Sequence, residues 1–269
     1  PDTVFFHGLL CSTAIWKRVA MAQPVRRSFA LPLPGHYPWR LDAGDTGEAL
    51  ADFKFLDVYR FAIEKTTDQP VQIVAHSTGA LIALKFAARY PHLVKRLVLA
   101  GAFPDGRAAI GRSSMGMSVL LPMIGSSLFA GLYRSWLHSP QTFARGLSTA
   151  KAPAAESPGC AVTAVEKEML FDLRRSDAGA LRQVVQWLSN TSVSDDLSSI
   201  NVPVTVLVSQ QDMTVEAQSQ IDLADELPNA NALICHCGHI PMLEKPEMMH
   251  RLVFQDAHVA IASKVGRAA

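Results

Sequence analysis

One short stretch limits what this chain can fold into: Val71-Gln72-Ile73-Val74, then Ala75-His76-Ser77-Thr78-Gly79, then Ala80-Leu81-Ile82-Ala83-Leu84-Lys85-Phe86-Ala87-Ala88. The first run is apolar enough for a short buried strand, and the last, rich in Ala and Leu, reads as a helix. A tight turn between them would lift the Ser77 hydroxyl off the sheet edge toward solvent. Strand and helix nearly touch at such a turn, so the residues two before and two after the serine must be small; they are Ala75 and Gly79. The commoner pattern is G-x-S-x-G, and Ala at the first small position is a mild departure. The helix N-terminus aims free N–H groups and a partial positive charge at any anion formed beside the serine. A serine here can also do no more than cap the helix, so its meaning depends on what the rest of the chain supplies.

The chain has 269 residues, enough for one large α/β domain or a core plus a subdomain. A composition 49% hydrophobic and 18% charged implies a well-filled core and excludes long disorder. The net charge is +1 and no compact Lys/Arg stripe is present, which argues against nucleic acid as a partner. Val25-Arg26-Arg27 and Lys95-Arg96 read as solvated strand ends. The four cysteines, Cys11, Cys160, Cys235 and Cys237, lack the spacing of a disulfide scaffold and fit a reducing compartment. Cys235-His236-Cys237-Gly238-His239 resembles a metal cluster on paper. Alternate residues of a strand share a face, however, so Cys235 and Cys237 would point one way and His236 the other, and no second Cys/His cluster completes a four-ligand set, so no metal is expected. No signal peptide is visible, and a cytoplasmic setting is expected.

Taken in order, Thr3-Val4-Phe5-Phe6 is a strand running into His7-Gly8-Leu9-Leu10, and Arg27–Leu31 is a second strand stopped by Pro32, Pro34 and Gly35. His36 falls in that stop and is expected in a surface loop. Residues 46–66 read as one amphipathic helix with Leu50, Phe53, Val58, Phe61 and Ala62 on its buried face. Leu97–Ala100 is a further strand, closed by Gly101. From 103 to 195 strand-like runs vanish. Helices are expected over Met115–Trp136, Ser139–Ala150, Ala161–Leu173 and Ala178–Ser189, with a flexible joint over Lys151–Gly159. This block reads as a helical cap (103–195) inserted into a core made of 1–102 and 196–269. Met115 to Tyr133 carries no charge, but its glycines, serines and Pro122 make a poor membrane span. A cap helix over an apolar pocket is the first reading, and interfacial association the second. Val202–Ser209 and Asn231–Cys235 are the last strands, and a helix from Pro246 to about Lys264 closes the chain.

The ordered set of motifs resembles the α/β-hydrolase superfamily. His7-Gly8 follows a strand, and Ala75-x-Ser77-x-Gly79 sits at strand-to-helix. Val202-Pro203-Val204 leads into a strand ending at Gln211-Asp212, and Gly238-His239-x-Pro241-x-x-Glu244-x-Pro246-Glu247 comes near the end. Chain order Ser, Asp, His is also the order of that fold. The resemblance covers everything but the cap. It departs at Gln210-Gln211-Asp212, where glycine is common, and at Leu31–Pro38, where a Gly-rich loop is lost. It implies a mostly parallel central sheet flanked by helices, and the family's earliest strands would precede Pro1. It implies a triad of Ser77, His239 and Asp212, with the backbone N–H groups of Leu9 and Thr78 holding the oxyanion. Asp105, just after an earlier strand, is the rival acid. His236 and His7 are rivals to His239 and read as structural.

A serine in the elbow separates this chain from relatives that use aspartate there. The resemblance implies a serine esterase, of carboxylesterase or lipase type, acting on a small-molecule substrate without a cofactor. Carbon–carbon hydrolysis, perhydrolysis and ligand binding on the same fold are the alternatives. The Met-, Leu- and Phe-rich cap points to an apolar acyl or aryl ester.

Overall fold

The computed structural model describes residues 2–21, 27–110, 114–121, 124–153 and 162–255. Six strands form one sheet: β1 (Thr3–Phe6), β2 (Ser28–Leu31), β3 (Val71–His76), β4 (Val94–Ala100), β5 (Val204–Ser209) and β6 (Ala230–Cys235). Their order is β2-β1-β3-β4-β5-β6, and every neighbouring pair is parallel. Parallel strands are covered on both faces, which is why β1 and β3 are buried at every residue and read as continuous apolar runs. The register sets Ala75 level with Phe6 on one side and Leu99 on the other, so the carboxyl ends of β1, β3 and β4 finish together. The chain passes from β1 outward to β2 and returns on the other side as β3. Ligands of open parallel sheets bind at such a reversal, beyond the strand ends.

The helices are α1 (Lys17–Ala20), α2 (Ala43–Leu50), α3 (Phe55–Thr66), α4 (Thr78–Arg89), α5 (Gly106–Ile110), α6 (Ser114–Ser118) and α7 (Gly125–Trp136). They continue with α8 (Pro140–Ser148), α9 (Ala164–Arg174), α10 (Ala178–Leu188), α11 (Ala217–Glu226), α12 (Pro241–Glu244) and α13 (Pro246–Phe254). Between β4 and β5 the described residues form no named strand, as expected. Two of the helices there are begun by capping boxes, Ser139 with Thr142 and Thr163 with Glu166. The block is braced internally by the Tyr133 hydroxyl, which donates to the Leu173 carbonyl at 2.6 Å. It is braced to the remainder where α10 packs on α2 and α9 on the Thr13–Trp16 turn.

Several expectations need correction. Residues 46–66 are two helices, broken where Asp52 and Phe53 take φ of 51° and 56°. The break is held from outside, since the Arg89 guanidinium donates to the carbonyls of both residues. The buried face is consequently Phe55, Leu56, Tyr59 and Ile63, while Val58 and Phe61 are exposed. Met115–Trp136 is likewise two helices, α6 and α7, rather than one. Arg96 is not a solvated strand end: half-buried, it donates to Gln72 and to the Val253 carbonyl. Lys151 is pinned by Glu166 at 2.7 Å, so the expected joint does not begin there. Its remainder from 154 on, Cys160, Arg26, Pro122 and the end of the C-terminal helix lie outside the described residues.

Candidate active site

Ser77 has φ 54° and ψ −123°, a conformation that costs a residue with a side chain about 1–3 kcal/mol and persists only where its surroundings over-determine it. Here they do. The Ser77 N–H donates to the Ala100 carbonyl at 2.9 Å, fixing the turn to β4. On the other side a Cβ on Gly79 would sit 2.5 Å from the His7 carbonyl oxygen and 2.7 Å from that of Phe6. No larger residue fits there, which is the physical content of the small position. Ser77 occupies the N-cap position of α4, yet its side chain makes no capping bond. Its Oγ lies instead 3.0 Å from His239 Nε2, to which the hydroxyl donates. The helix-capping role is therefore not what this serine does.

His239 Nδ1 is 2.8 Å from Asp212 Oδ2. A carboxylate only accepts, so Nδ1 carries a proton, and in the neutral imidazole Nε2 is then the acceptor facing Ser77. Asp212 is held as tightly as the histidine. Its Oδ1 accepts from the Thr214 and Val215 N–H groups, both at 2.8 Å, and its Oδ2 accepts a second bond from Gln220 Nε2 at 3.2 Å. All three side chains are at least nine-tenths buried.

The loop carrying His239 is tied at three points. Its N–H donates to the Ala150 carbonyl at 2.7 Å. The His76 ring Nε2 donates to the His239 carbonyl at 2.8 Å. The Glu244 carboxylate accepts from the Gly238 N–H at 3.0 Å and from the Ala152 N–H at 2.9 Å. That explains the Gly-His-x-Pro-x-x-Glu spacing: the glutamate closes the loop onto the segment at 150–152. A Cβ on Gly238 would meet the Ala152 nitrogen at 2.5 Å, so the same segment demands the glycine.

The other expected residues fall as follows. Thr78 opens α4 and Leu9 lies in the turn after β1, and among the described residues neither backbone N–H has a recorded partner. Asp105 is not the partner of His239 Nδ1; its Oδ1 accepts the Arg107 N–H in a local turn. His236 is exposed, in the bend just past β6, between the buried Cys235 and Cys237, where the Cys237 N–H donates to the Cys235 carbonyl at 3.0 Å. His7 is structural. Its Nδ1 donates to the Gly8 carbonyl and its Nε2 accepts the Leu33 N–H, and burial lowers its pKa to about 4. His36 is not a surface residue. It is fully buried, 5.1 Å from the His7 ring, and burial lowers its pKa to about 3. His76 is held well below the usual histidine range, chiefly by burial.

The alpha/beta hydrolase family model matches residues 3–252. The chain belongs to that family. Among curated proteins, the hydrolase is similar to a pimeloyl-[acyl-carrier protein] methyl ester esterase of Aromatoleum aromaticum. The two are 27% identical over 251 residues, 92% of this chain and 94% of the relative. A protein of the same name from Vibrio campbellii is 23% identical, covering 92% of this chain and 91% of its own length. Among solved structures, a hydrolase from Oleispira antarctica superposes with TM-score 0.67 at 14% identity, over 93% of this chain and 88% of its own. The enol-lactonase of Burkholderia xenovorans does so with TM-score 0.60 at 14% identity, over 94% and 89%. These structural likenesses concern the fold.

Three residues of this hydrolase escape sequence reasoning. Gln220, fully buried on α11, donates to Asp212 Oδ2 and to the Val215 carbonyl while its Oε1 accepts the Ser209 N–H. His76 supports the His239 backbone. Gly101, at φ +57°, leaves room for the His239 ring: a Cβ there would lie 2.8 Å from Cε1. Only Gly101, next to a strand end, carries a local signal. Among the described residues no group of three or more His, Cys, Asp or Glu could hold a metal ion.

Proposed function

We propose that this hydrolase cleaves esters of apolar acyl or aryl groups through an acyl-enzyme on Ser77. The observation that supports it best is the hydrogen-bonded series from Ser77 Oγ through His239 to Asp212, in which the serine faces a bare imidazole nitrogen. Ser77 Oγ attacks the ester carbonyl carbon and its proton passes to His239 Nε2. The carbonyl oxygen becomes an oxyanion, for which the Leu9 and Thr78 N–H groups are the donors; one such donor is worth about 2.7–4 kcal/mol of barrier. Collapse breaks the bond to the alkoxy oxygen, which takes the proton from Nε2 and leaves as the alcohol. Water then repeats the sequence, and the carboxylic acid departs with Ser77 restored. Asp212 keeps the imidazole in the working tautomer and stabilises the imidazolium.

The names of the two curated relatives, both methyl ester esterases, support ester cleavage. In this reading residues 103–195 are the cap and 1–102 with 196–269 the core. The tie between Ala150–Ala152 and the His239 loop supports the cap's place beside the site. The substrate is a small molecule, and a cytoplasmic setting fits the buried free thiols of Cys11, Cys235 and Cys237. Hydrolysis of nitrophenyl esters from acetate to a long acyl chain, by wild type and Ser77→Ala in parallel, tests this function. Turnover should depend on Ser77 and favour longer chains. Preference for acetate alone would refute the apolar acyl assignment, and no ester turnover at all would refute the reaction.

A further inference from the structure

The surface holds a feature that the hydrolytic site does not use. Met117, Leu120, Leu121, Ile124 and Leu128 are 40–63% exposed. Half of the ten exposed large hydrophobics of the described residues thus fall within twelve consecutive positions, at the end of α6, the turn after it and the start of α7. In α7 the buried side chains are Phe129 and Tyr133, while Ile124 and Leu128 lie one turn apart on the opposite, outward stripe. A groove of about 390 Å³ runs beside the patch; Ile110, Val119 and Leu120 give it apolar lining and Arg107 is the one charged residue on its wall. Exposed large apolar side chains clustered in this way mark an interaction surface.

The charge pattern says what kind. From Gly106 to Ala155 the sequence has no Asp or Glu but five Arg or Lys, although the chain carries 24 acidic residues. Arg134 is exposed on α7 and flanks the stripe of Ile124 and Leu128. Protein interfaces centre on aromatic and arginine anchors in packed pockets. This patch offers flexible Met, Leu and Ile side chains, with the exposed Ser126, Ser127 and Arg134 on the same helix. Such a surface suits shallow insertion among lipid headgroups. Among the described residues no helix is long and apolar enough to cross a membrane. We infer that the face formed by Met117, Leu120, Leu121, Ile124 and Leu128 docks on an anionic phospholipid surface, its apolar side chains entering the acyl boundary while Arg107 and Arg134, in a stretch of chain without acidic residues, meet the headgroup charge.

The test is co-sedimentation of the full chain with vesicles of phosphatidylcholine alone and of phosphatidylcholine mixed with phosphatidylglycerol. The expected result is binding to the mixed vesicles, at least about tenfold stronger than to the neutral ones and weakened by salt. The triple variant Leu120→Ser, Ile124→Ser, Leu128→Ser should lose it while keeping its thermal transition, and Arg134→Gln should weaken it about fivefold. Phe61→Ser, an exposed apolar residue on α3 away from the patch, should bind as wild type. Binding that survives the triple variant, equal binding to both vesicles, or no binding to either overturns the inference. Retention on an immobilised acidic protein through the same residues, without vesicle binding, assigns the face to a protein partner and overturns it too.

Discussion

Replacing Asp212 by Asn tests the acid of the site without changing its shape. The carboxylate accepts four hydrogen bonds, two on each oxygen. Asparagine has one accepting side only. The Thr214 and Val215 N–H groups are backbone donors in a tight turn and cannot face away, so the Asn carbonyl takes them and its NH₂ faces Gln220 and His239. Gln220 cannot turn over to accept, because its Oε1 already holds the Ser209 N–H and its Nε2 the Val215 carbonyl. A donor then faces a donor in a buried site, costing about 1–3 kcal/mol of stability. His239 can meet the NH₂ only with a bare Nδ1, which moves its proton to Nε2, facing Ser77. In that tautomer it cannot take the serine proton. The expected loss in kcat is about 10⁴-fold, or about 5.4 kcal/mol of barrier, with KM little changed. Steady-state hydrolysis of a nitrophenyl ester, with thermal melts to confirm folding, measures both. A loss below about tenfold in a folded Asp212→Asn, or a larger loss in Asp105→Asn than in Asp212→Asn, would refute the assignment.

Gln220→Leu should lower kcat by about tenfold to a hundredfold while leaving KM within about twofold, since it removes one donor from Asp212 and none from the substrate side; an equal change in KM alone would assign it a merely structural role. Gly101→Ala places a methyl 2.8 Å from the His239 ring at positive φ, so kcat should fall about a hundredfold with about 1–3 kcal/mol of stability lost, read by kinetics and melts; unchanged kinetics would show that the ring tolerates displacement. His7 and His36, with folded pKa values lowered to about 4 and about 3, remain neutral in the fold while the unfolded chain protonates below about 6.5. The stability they contribute is complete above that pH and is lost on acidification toward pH 4 and 3, at about 1.4 kcal/mol per pH unit for each group. Urea unfolding at several pH values should show a slope reduced by that amount in His36→Leu, and parallel curves would refute it.

The fold was legible because its central strands are buried on both faces. Val71–His76 and Val204–Ser209 announce themselves as apolar runs, and Ser77 sits in a turn whose small residues are required by contacts as close as 2.5 Å. Asp212 and His239, which the structure brings to 2.8 Å, could be nominated from the sequence because each lies three or four residues past a strand end, in the order the fold dictates. What the sequence hid is tertiary. No glycine or proline marks the break at Asp52 and Phe53, which Arg89 holds from another helix. Once that break shifts the helical phase, Val58 and Phe61 turn outward. Nothing local tells a buried His36 from an exposed one, and a glutamine on an amphipathic helix carries no sign that it will reach Asp212 from eight residues away.

The most direct test of the central claim is intact-mass and peptide-mapping spectrometry of the protein quenched during turnover of a long-chain nitrophenyl ester. The account predicts an added acyl mass on the peptide containing Ser77, and neither adduct nor turnover in Ser77→Ala. An adduct on another residue, or undiminished turnover in Ser77→Ala, would contradict it.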